Sequence, residues 1–191
     1  MVKRVGILGG TFDPPHIGHF IVAHQVLHAL QLDEIRFMPN HIPPHKNRNF
    51  DTNAKDRLEM LTRAIHGQPC FKIEMIELER EGPSYTYDTM VLLTNKERDV
   101  EFYFIIGADM IEYLPKWYKI DELIKLVTFV GVNRPHYHAE TPYPVRLIEI
   151  PSIDVSSTMV RNMINNKVPI NYLVPDNVIE YIKKKGLYGA E

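Results

Sequence analysis

The sequence predicts an α/β fold of the Rossmann-like, doubly wound type, with a mainly parallel sheet and helices on both faces. Short apolar runs alternate with helical patterns along all 191 residues, and parallel strands require crossover connections of that kind. No internal repeat, low-complexity tract or linker interrupts this alternation. Because the length suits one domain with a full hydrophobic core, we expect a single domain over 1–191, with 156–191 as a closing helical segment.

The first β–α–β unit is predicted over residues 2–39. Val5 to Leu8 are apolar except for one glycine, as in a strand that is buried on both faces. Residues 18–30 place apolar side chains at helical spacing, and Glu34–Pro39 is a second β-prone run. A helix between two strands predicts that the strands are parallel neighbours.

The next unit follows a loop over 42–50 that contains two prolines. Residues 51–53 are Asp, Thr and Asn, which are N-cap residue types. We therefore expect a helix that runs to about Ile65 and stops at Gly67. Phe71–Leu78 is predicted as the third strand.

The second half of the chain continues the alternation. Glu101–Ile106 is strongly apolar and β-prone, which predicts a central strand. The other predicted elements are a helix over Ser84–Thr94 after Gly82-Pro83, a short helix over Asp121–Lys125, strands over Val127–Val132 and Val145–Ile150, and closing helices over Ser156–Asn165 and Asp176–Lys185.

Composition excludes several kinds of protein. The net charge is −2, unlike the strongly basic balance of a general nucleic-acid binder, so we expect no nucleic-acid partner. The apolar N-terminal run is too short for a signal peptide or a membrane span, so we expect no membrane partner. The single cysteine, Cys70, excludes a multi-cysteine metal site and favours a reducing, cytoplasmic compartment. We expect Cys70 to be a buried, inert thiol.

The first candidate motif follows the first strand. It is Gly9-Gly10-Thr11-Phe12-Asp13-Pro14-Pro15-His16-Ile17-Gly18-His19. The glycines predict a tight turn that a ligand can approach closely, and the unpaired amides at the start of the following helix favour an anion. His16 and His19 are three residues apart, so we expect both imidazoles on one side of the first helical turn. The motif is neither the dinucleotide-binding fingerprint nor the phosphate-binding loop.

The second candidate motif opens the helix that follows the last strand. It is Ser156-Ser157-Thr158-Met159-Val160-Arg161. Hydroxyls and free amides at a helix N-terminus can bind phosphate oxygens, and Arg161 can reach them from the next turn. The alternative is a serine N-cap beside a surface arginine.

Together the two motifs resemble the signature of the His-x-Gly-His nucleotidyltransferase superfamily. Within it the resemblance is greatest to the bacterial nicotinate-nucleotide adenylyltransferases, and it spans nearly the whole chain. The landmarks that carry it are Gly9–His19, the loop Ile42-Pro43-Pro44-His45-Lys46, the stretch Ser84-Tyr85-Thr86-Tyr87-Asp88-Thr89, Gly107-Ala108-Asp109, Trp117, and the Ser156–Arg161 motif.

The resemblance implies a single nucleotidyltransferase domain that transfers AMP from ATP to nicotinate mononucleotide. The products would be nicotinate adenine dinucleotide (deamido-NAD) and pyrophosphate, in NAD biosynthesis. The mononucleotide phosphate would attack the α-phosphorus of ATP in line. Because that phosphate is already ionised, the reaction needs positioning and charge stabilisation rather than a general base. Mg²⁺ would be bound mainly through ATP phosphates, with no metal ligand from protein side chains.

The resemblance also implies roles for individual residues. The catalytic residues would be His16, His19, Lys46 and Arg161. ATP would be bound by Gly9, Gly10, Thr11, Phe12, His16, His19, Gly107, Asp109, Ser156, Ser157, Thr158 and Arg161. Nicotinate mononucleotide would be bound by Lys46, Thr86, Trp117 and Tyr118.

Several of these roles have alternatives that the sequence leaves open. Asp109 would accept hydrogen bonds from the adenosine ribose, or else it caps a helix. Trp117 would stack on the pyridinium ring, or else it is an ordinary core aromatic. The acceptor could instead be nicotinamide mononucleotide or phosphopantetheine, and the protein could be a non-catalytic nucleotide sensor. A homo-oligomer is also compatible with the sequence.

Overall fold

Strands and helices alternate along the chain. The strands are β1 (Lys3–Gly10), β2 (Glu34–Pro39), β3 (Phe71–Ile73), β4 (Val100–Gly107), β5 (Thr128–Asn133) and β6 (Val145–Glu149). The helices are α1 (Ile17–Ala29), α2 (Ala54–Ala64), α3 (Thr86–Lys96), α4 (Ala108–Ile111), α5 (Ile120–Leu123), α6 (Ser157–Asn165) and α7 (Asp176–Lys185), with 3-10 turns over Leu114–Lys116 and Leu187–Gly189. The computed structural model describes residues 2–41, 52–80, 82–133, 141–151 and 153–190.

The six strands form one parallel sheet in the order β3-β2-β1-β4-β5-β6. The chain builds β2 and β3 outward on one side of β1, then returns to build β4, β5 and β6 on the other. β1 and β4 are therefore central neighbours, with Leu8 opposite Ile105. This is a topological switch point, where the connections leave in opposite directions and open a crevice at the carboxyl ends of the strands.

Helices cover both faces of the sheet, as the alternation of elements predicts. One face buries Val26 of α1 and Leu61 of α2. The opposite face buries Leu93 of α3 and Leu123 of α5. The predicted α/β class, with its doubly wound parallel sheet, is therefore confirmed.

Helices α6 and α7 form a third packed cluster, against α2. Met60 of α2 is fully buried together with Val160 of α6 and Val178 of α7. The carbonyl of Leu173, in the connection between α6 and α7, accepts a 2.8 Å hydrogen bond from the Ile17 amide at the start of α1. Within the described residues, no helix has the length and apolar character needed to cross a membrane.

The third strand is shorter than the sequence predicts. The prediction extended to Leu78, but the strand ends at Ile73. Its neighbour β2 ends at Pro39, which has no amide hydrogen to donate to an adjacent strand. The chain then turns, and the amides of Leu78 and Glu79 both donate to the Met75 carbonyl.

Cys70 is exposed rather than buried, so that prediction is wrong. Residues 66–70 form an exposed turn between α2 and β3. The inward-facing place at the start of β3 is taken by Phe71, which is 8% exposed. Because successive side chains of a strand point to opposite faces, the thiol just before Phe71 is left in solvent.

Candidate active site

In the loop after β1, the residue with the positive φ is Phe12 and not either of the two glycines. Phe12 has a φ of 52°, whereas Gly9 and Gly10 stay outside the left-handed region. Gly10 is needed for space, since a Cβ there would lie 2.9 Å from the Phe12 ring. Phe12 is 1% exposed and meets Phe37 edge to face. Burial of this ring therefore holds the turn, and the predicted glycine-based turn is corrected.

His16 and His19 form a close pair at the start of α1, as their spacing predicts. Their ring centroids are 3.7 Å apart. Gly18 between them leaves room for the His16 ring, because a Cβ at Gly18 would lie 3.1 Å from His16 Nδ1. The spacing His-x-Gly-His is thus the one that lets two imidazoles stack side by side on a single helical turn.

The protonation of His19 is fixed by the backbone of His16. The His16 amide donates to Nδ1 of His19 over 3.1 Å. A ring nitrogen that accepts a hydrogen bond carries no proton, so neutral His19 has its proton on Nε2. The Phe12 ring, at 4.9 Å between centroids, packs against the same imidazole.

Both histidines are neutral at physiological pH. Burial lowers the pKa of His16 to about 4. Burial, together with the neighbouring His16, lowers the pKa of His19 well below its ordinary value. The pair therefore offers neutral N–H donors rather than fixed positive charges.

The second motif is fastened to the first by two hydrogen bonds. Arg161 Nη1 donates to the Asp13 carbonyl over 2.8 Å, and Ser157 Oγ donates to the Pro14 carbonyl over 2.8 Å. Ser156 is the N-cap of α6, since its hydroxyl accepts the Met159 amide. The serine-cap alternative therefore holds for Ser156, whereas Arg161 and Ser157 join distant parts of the site.

One amide at the start of α1 is already engaged. Ile17 donates its N–H to Leu173, so this group is not available to an anion. Of the amides that the sequence predicts to be unpaired at the start of α1, that of Ile17 is therefore occupied by the closing segment, which reaches back to the helix N-terminus.

A first cavity, of about 500 Å³, opens on the α1 side of the switch point. Both imidazoles line it, together with an apolar wall that includes Ile105 and Val132. Asp109 lies exposed in the same wall. Gly107, not Asp109, is the N-cap of α4, so the helix-cap alternative for this carboxylate is wrong.

A second cavity, of about 390 Å³, opens on the α3 side of the switch point. It shares Leu8 and residues 105–107 of the central strands with the first cavity. Its other lining residues are Gly9, Gly10, Met38, Asn40, Glu77, Ser84, Tyr85, Thr86, Phe104, Met110, Trp117 and Tyr118. Leu8 and residues 105–107, which we call the partition, therefore separate two cavities that are each large enough to hold a small ligand.

Trp117 is both a core contact and a wall of the second cavity. It meets Phe104 and Phe129 edge to face at 5.9 and 5.8 Å. Its Nε1 atom is buried and has no hydrogen-bond partner in the described part of the chain. The two sequence interpretations of Trp117 are thus compatible, because the ring packs on the core while it borders the cavity.

Glu77 belongs to the second cavity and was missed by the sequence analysis. It is 5% exposed, and its Oε1 accepts the Thr89 hydroxyl at 3.0 Å. Burial raises the pKa of Glu77 to about 7, against hydrogen bonds from Thr89 and Ser84 that lower it. Ser84 in turn accepts the His41 amide. The sequence itself does not distinguish Glu77 from Glu74 and Glu79 in the same stretch, so its burial could be found only from the structure.

The remaining predicted site residues are placed as follows. Thr86 and Tyr118 line the second cavity with Trp117. Gly9 and Gly10, expected at the ATP site, line the second cavity and not the first. Thr11 receives a 3.5 Å contact from the Asn40 amide, and Arg161 Nη2 lies 3.4 Å from the Thr158 hydroxyl. Lys46 lies outside the described residues.

His24 and His28 also lie close together, with ring centroids 4.4 Å apart on α1. Among the described residues, however, no group of three or more histidine, cysteine or acidic side chains is placed to hold a metal ion. The polar side chains that line the first cavity are the two imidazoles and the carboxylate of Asp109, which can form hydrogen bonds with phosphate and sugar oxygens, respectively.

Comparison with known proteins gives a consistent result. The family model described as cytidylyltransferase-like matches residues 7–163. A Bacillus subtilis protein named nicotinate-nucleotide adenylyltransferase is 54% identical over 187 residues, which is 98% of this chain and 99% of that protein. A Geobacillus thermodenitrificans protein named probable nicotinate-nucleotide adenylyltransferase is 60% identical and covers 98% of this chain and 87% of its own length.

Solved structures share the fold. A Plasmodium falciparum nicotinic acid mononucleotide adenylyltransferase complexed with NaAD superimposes with a TM-score of 0.82 at 24% identity, covering 99% of this chain and 98% of that one. The same parasite enzyme complexed with APC gives a TM-score of 0.79 at 24% identity, with the same coverage. At this identity the match establishes the common architecture.

Proposed function

The chain belongs to the cytidylyltransferase-like family and, within it, to the nicotinate-nucleotide adenylyltransferases, and from this premise we propose how its site works. It is an enzyme that transfers AMP from ATP to nicotinate mononucleotide, with nicotinate adenine dinucleotide and pyrophosphate as products. The observation that carries the assignment of the site is the pair of cavities on either side of the β1–β4 partition, with the two imidazoles at the edge of the first.

The first cavity is assigned to ATP. Its apolar wall suits a purine, and the exposed Asp109 carboxylate can accept hydrogen bonds from ribose hydroxyls. His16 and His19 then face the phosphates, with Nε2–H of His19 as a donor. Ser157, Thr158 and Arg161 at the start of α6 hold the departing end of the triphosphate.

The second cavity is assigned to nicotinate mononucleotide. The Trp117 indole offers a flat apolar face to the pyridinium ring, and dispersion and cation–π attraction both stabilise this stacking. Thr86 and Tyr118 lie beside it and provide polar contacts for the ring substituent. Lys46, which lies outside the described residues, would neutralise phosphate charge.

Chemistry then takes place over the partition between the cavities. An oxygen of the mononucleotide phosphate forms a bond to the α-phosphorus of ATP while the bond to the β-phosphate oxygen breaks. The electron pair leaves with pyrophosphate, and no proton needs to be removed from the nucleophile. His16, His19 and Arg161 stabilise charge on the phosphoryl oxygens and on the leaving group.

The donor set around the first cavity is compatible with a metal ion that arrives on ATP. Mg²⁺ retains most of its waters and binds well to substrate phosphates, so it supplies charge neutralisation without a protein cage. Within this arrangement the protein residues contact the phosphate oxygens, and Asp109 remains available to the sugar.

A direct assay tests the proposal. Purified protein is mixed with ATP, Mg²⁺ and one acceptor at a time, and pyrophosphate release is measured for nicotinate mononucleotide, nicotinamide mononucleotide and phosphopantetheine. We expect the fastest turnover with nicotinate mononucleotide. Faster turnover with the amide or with phosphopantetheine would overturn the substrate, and ATP binding without release for any acceptor would favour a sensor.

A further inference from the structure

Asp13 is a buried residue that accepts hydrogen bonds from distant parts of the chain. It is 3% exposed. Its Oδ1 accepts the Thr52 hydroxyl at 2.6 Å and the Tyr188 hydroxyl at 2.5 Å. Its main-chain carbonyl accepts Arg161. Three segments that lie 39, 148 and 175 residues away therefore converge on one residue of the loop that leads to His16.

Tyr188 reaches this point because of the unusual backbone of the closing segment. Gly186, Tyr188 and Gly189 all have positive φ, of 61°, 58° and 78°. A tyrosine in the left-handed region is uncommon and is kept there only when contacts of its side chain hold it. Those contacts include the hydrogen bond to Asp13, a 3.8 Å approach of the hydroxyl to Met60 Sδ, and packing of the ring against the apolar cluster of α2, α6 and α7.

The Asp13 carboxylate depends on these donors. A buried carboxylate is costly unless its oxygens accept hydrogen bonds. If the Tyr188 donor is removed, Oδ1 keeps only the Thr52 hydroxyl of the two, and we expect the side chain or the loop to shift in response. His16 is only three residues further along, and the His16 amide orients the His19 ring, so a movement of the loop passes directly to both imidazoles.

We propose that Tyr188 is a positioning residue for the adenylyl transfer, holding the loop of residues 13–16 through Asp13 so that His16 and His19 keep their mutual geometry. This rests on the function proposed above. Tyr188 does not line either cavity, so its effect reaches the substrates through the loop. Small displacements of catalytic groups reduce the rate strongly while substrate affinity changes little.

The test compares Tyr188→Phe with Tyr181→Phe. Tyr181, also in the closing segment, donates its hydroxyl to Asp56 Oδ1 over 2.7 Å, and among the described residues no hydrogen bond joins it to the loop of residues 13–16. For Tyr188→Phe we expect kcat to fall by about tenfold or more, with KM for both substrates within about twofold. Tyr181→Phe should keep the wild-type kcat. Unchanged kcat in Tyr188→Phe, or an equal loss in Tyr181→Phe, would overturn the proposal.

A spectroscopic measurement tests the positioning without turnover. Long-range ¹H–¹⁵N correlation of histidine-labelled protein reports the tautomer of each imidazole. We expect the His16 and His19 signals to shift in Tyr188→Phe while those of His24 and His28 stay in place. If all four are unchanged, the proposal is wrong even if the wild type is active. If the wild type releases no pyrophosphate, the proposed function fails, and these spectra still decide the positioning role.

Thr52 offers a second route to the same test if Tyr188→Phe does not fold. Thr52→Val removes the other hydroxyl that donates to Asp13 Oδ1, and should reproduce both the loss of kcat and the shift of the His16 and His19 signals. Thr52→Ser keeps the hydroxyl and should restore both. Wild-type kcat in Thr52→Val would contradict the role assigned to this network.

Discussion

Arg161 Nη1 lies 2.8 Å from the main-chain oxygen of Asp13, so one hydrogen bond joins two motifs that are 148 residues apart. A guanidinium has further donors, so it can hold the loop and a phosphate at the same time. We therefore expect Arg161→Lys to lower kcat by about tenfold or more although the charge is kept. Steady-state pyrophosphate release measures this. Lys167→Arg, on the connection after α6, is a control for a lysine–arginine exchange, and wild-type kcat in Arg161→Lys would contradict the double role.

Removing the imidazole of His19 should have a large effect on turnover. In His19→Ala, kcat should fall by about a hundredfold or more, on the scale of lost electrostatic stabilisers. His24→Ala, an exposed histidine on the same helix, should keep the wild-type rate. Single-turnover measurement with saturating ATP separates the chemical step from product release. A rate near that of the wild type would show that His19 does not act in the reaction.

Gly18→Ala should lower the activity without lowering the thermal stability. Alanine favours a helix over glycine by about 1 kcal/mol, so the melting temperature should stay the same or rise. The new Cβ, however, would press on His16 Nδ1 at 3.1 Å. We expect kcat to fall by about tenfold as the ring is displaced. A thermal melt and a rate measurement on the same sample check both halves, and full activity would show that the ring has room to yield.

Glu77 should lower the free energy of unfolding as the pH rises, which is opposite to the effect of most carboxylates. Burial raises the pKa of Glu77 to about 7, so its contribution is fully present below about pH 4.5, the ordinary value, and is lost as the pH rises through 7. Because Glu77→Gln does not titrate, the free energy of unfolding of the variant minus that of the wild type should grow by about 3 kcal/mol between pH 4.5 and 8. Urea unfolding at several pH values measures this difference.

A difference that stays constant across that range would show that Glu77 does not titrate with a raised pKa. Glu101→Gln, an exposed glutamate in β4, is the matched control.

Trp117→Phe should affect the acceptor more than ATP. Phenylalanine keeps an aromatic ring against Phe104 and Phe129 but offers a smaller face and a weaker cation–π partner. We expect KM for nicotinate mononucleotide to rise by about tenfold, with KM for ATP within about twofold. Initial rates with each substrate varied in turn measure both constants. Equal changes in the two constants would contradict the assignment of the second cavity.

Sequence periodicity predicted the elements that pack regularly. The bounds of β2 and α7 agree with the prediction, and the Asn53 cap of α2 accepts the Asp56 amide as its residue type suggests. The predicted third strand is longer than β3 because the stretch 71–78, with its alternating apolar and charged residues, continues beyond Ile73 into a turn. The turn follows the end of the neighbouring β2 at Pro39, which is a tertiary effect.

In the candidate site, too, local sequence patterns could be predicted whereas tertiary contacts could not. The motifs around His16 and Arg161 could be found because they are local strings of characteristic residues. Tyr188 could not, since its role depends on a contact with Asp13 across 175 residues. The turn was assigned to glycines on propensity, whereas burial of the Phe12 ring decides which residue takes the positive φ.

The common partition of Leu8 and residues 105–107 has a consequence for how enzymes of this design diverge. On the proposed assignment, a substitution in the partition alters both substrate sites at once, so it must be compatible with both substrates. A change at Trp117 or at Asp109 alters only one of them. On the proposed assignment of the two cavities, a substitution at Trp117 would therefore change recognition of the acceptor and leave recognition of ATP intact.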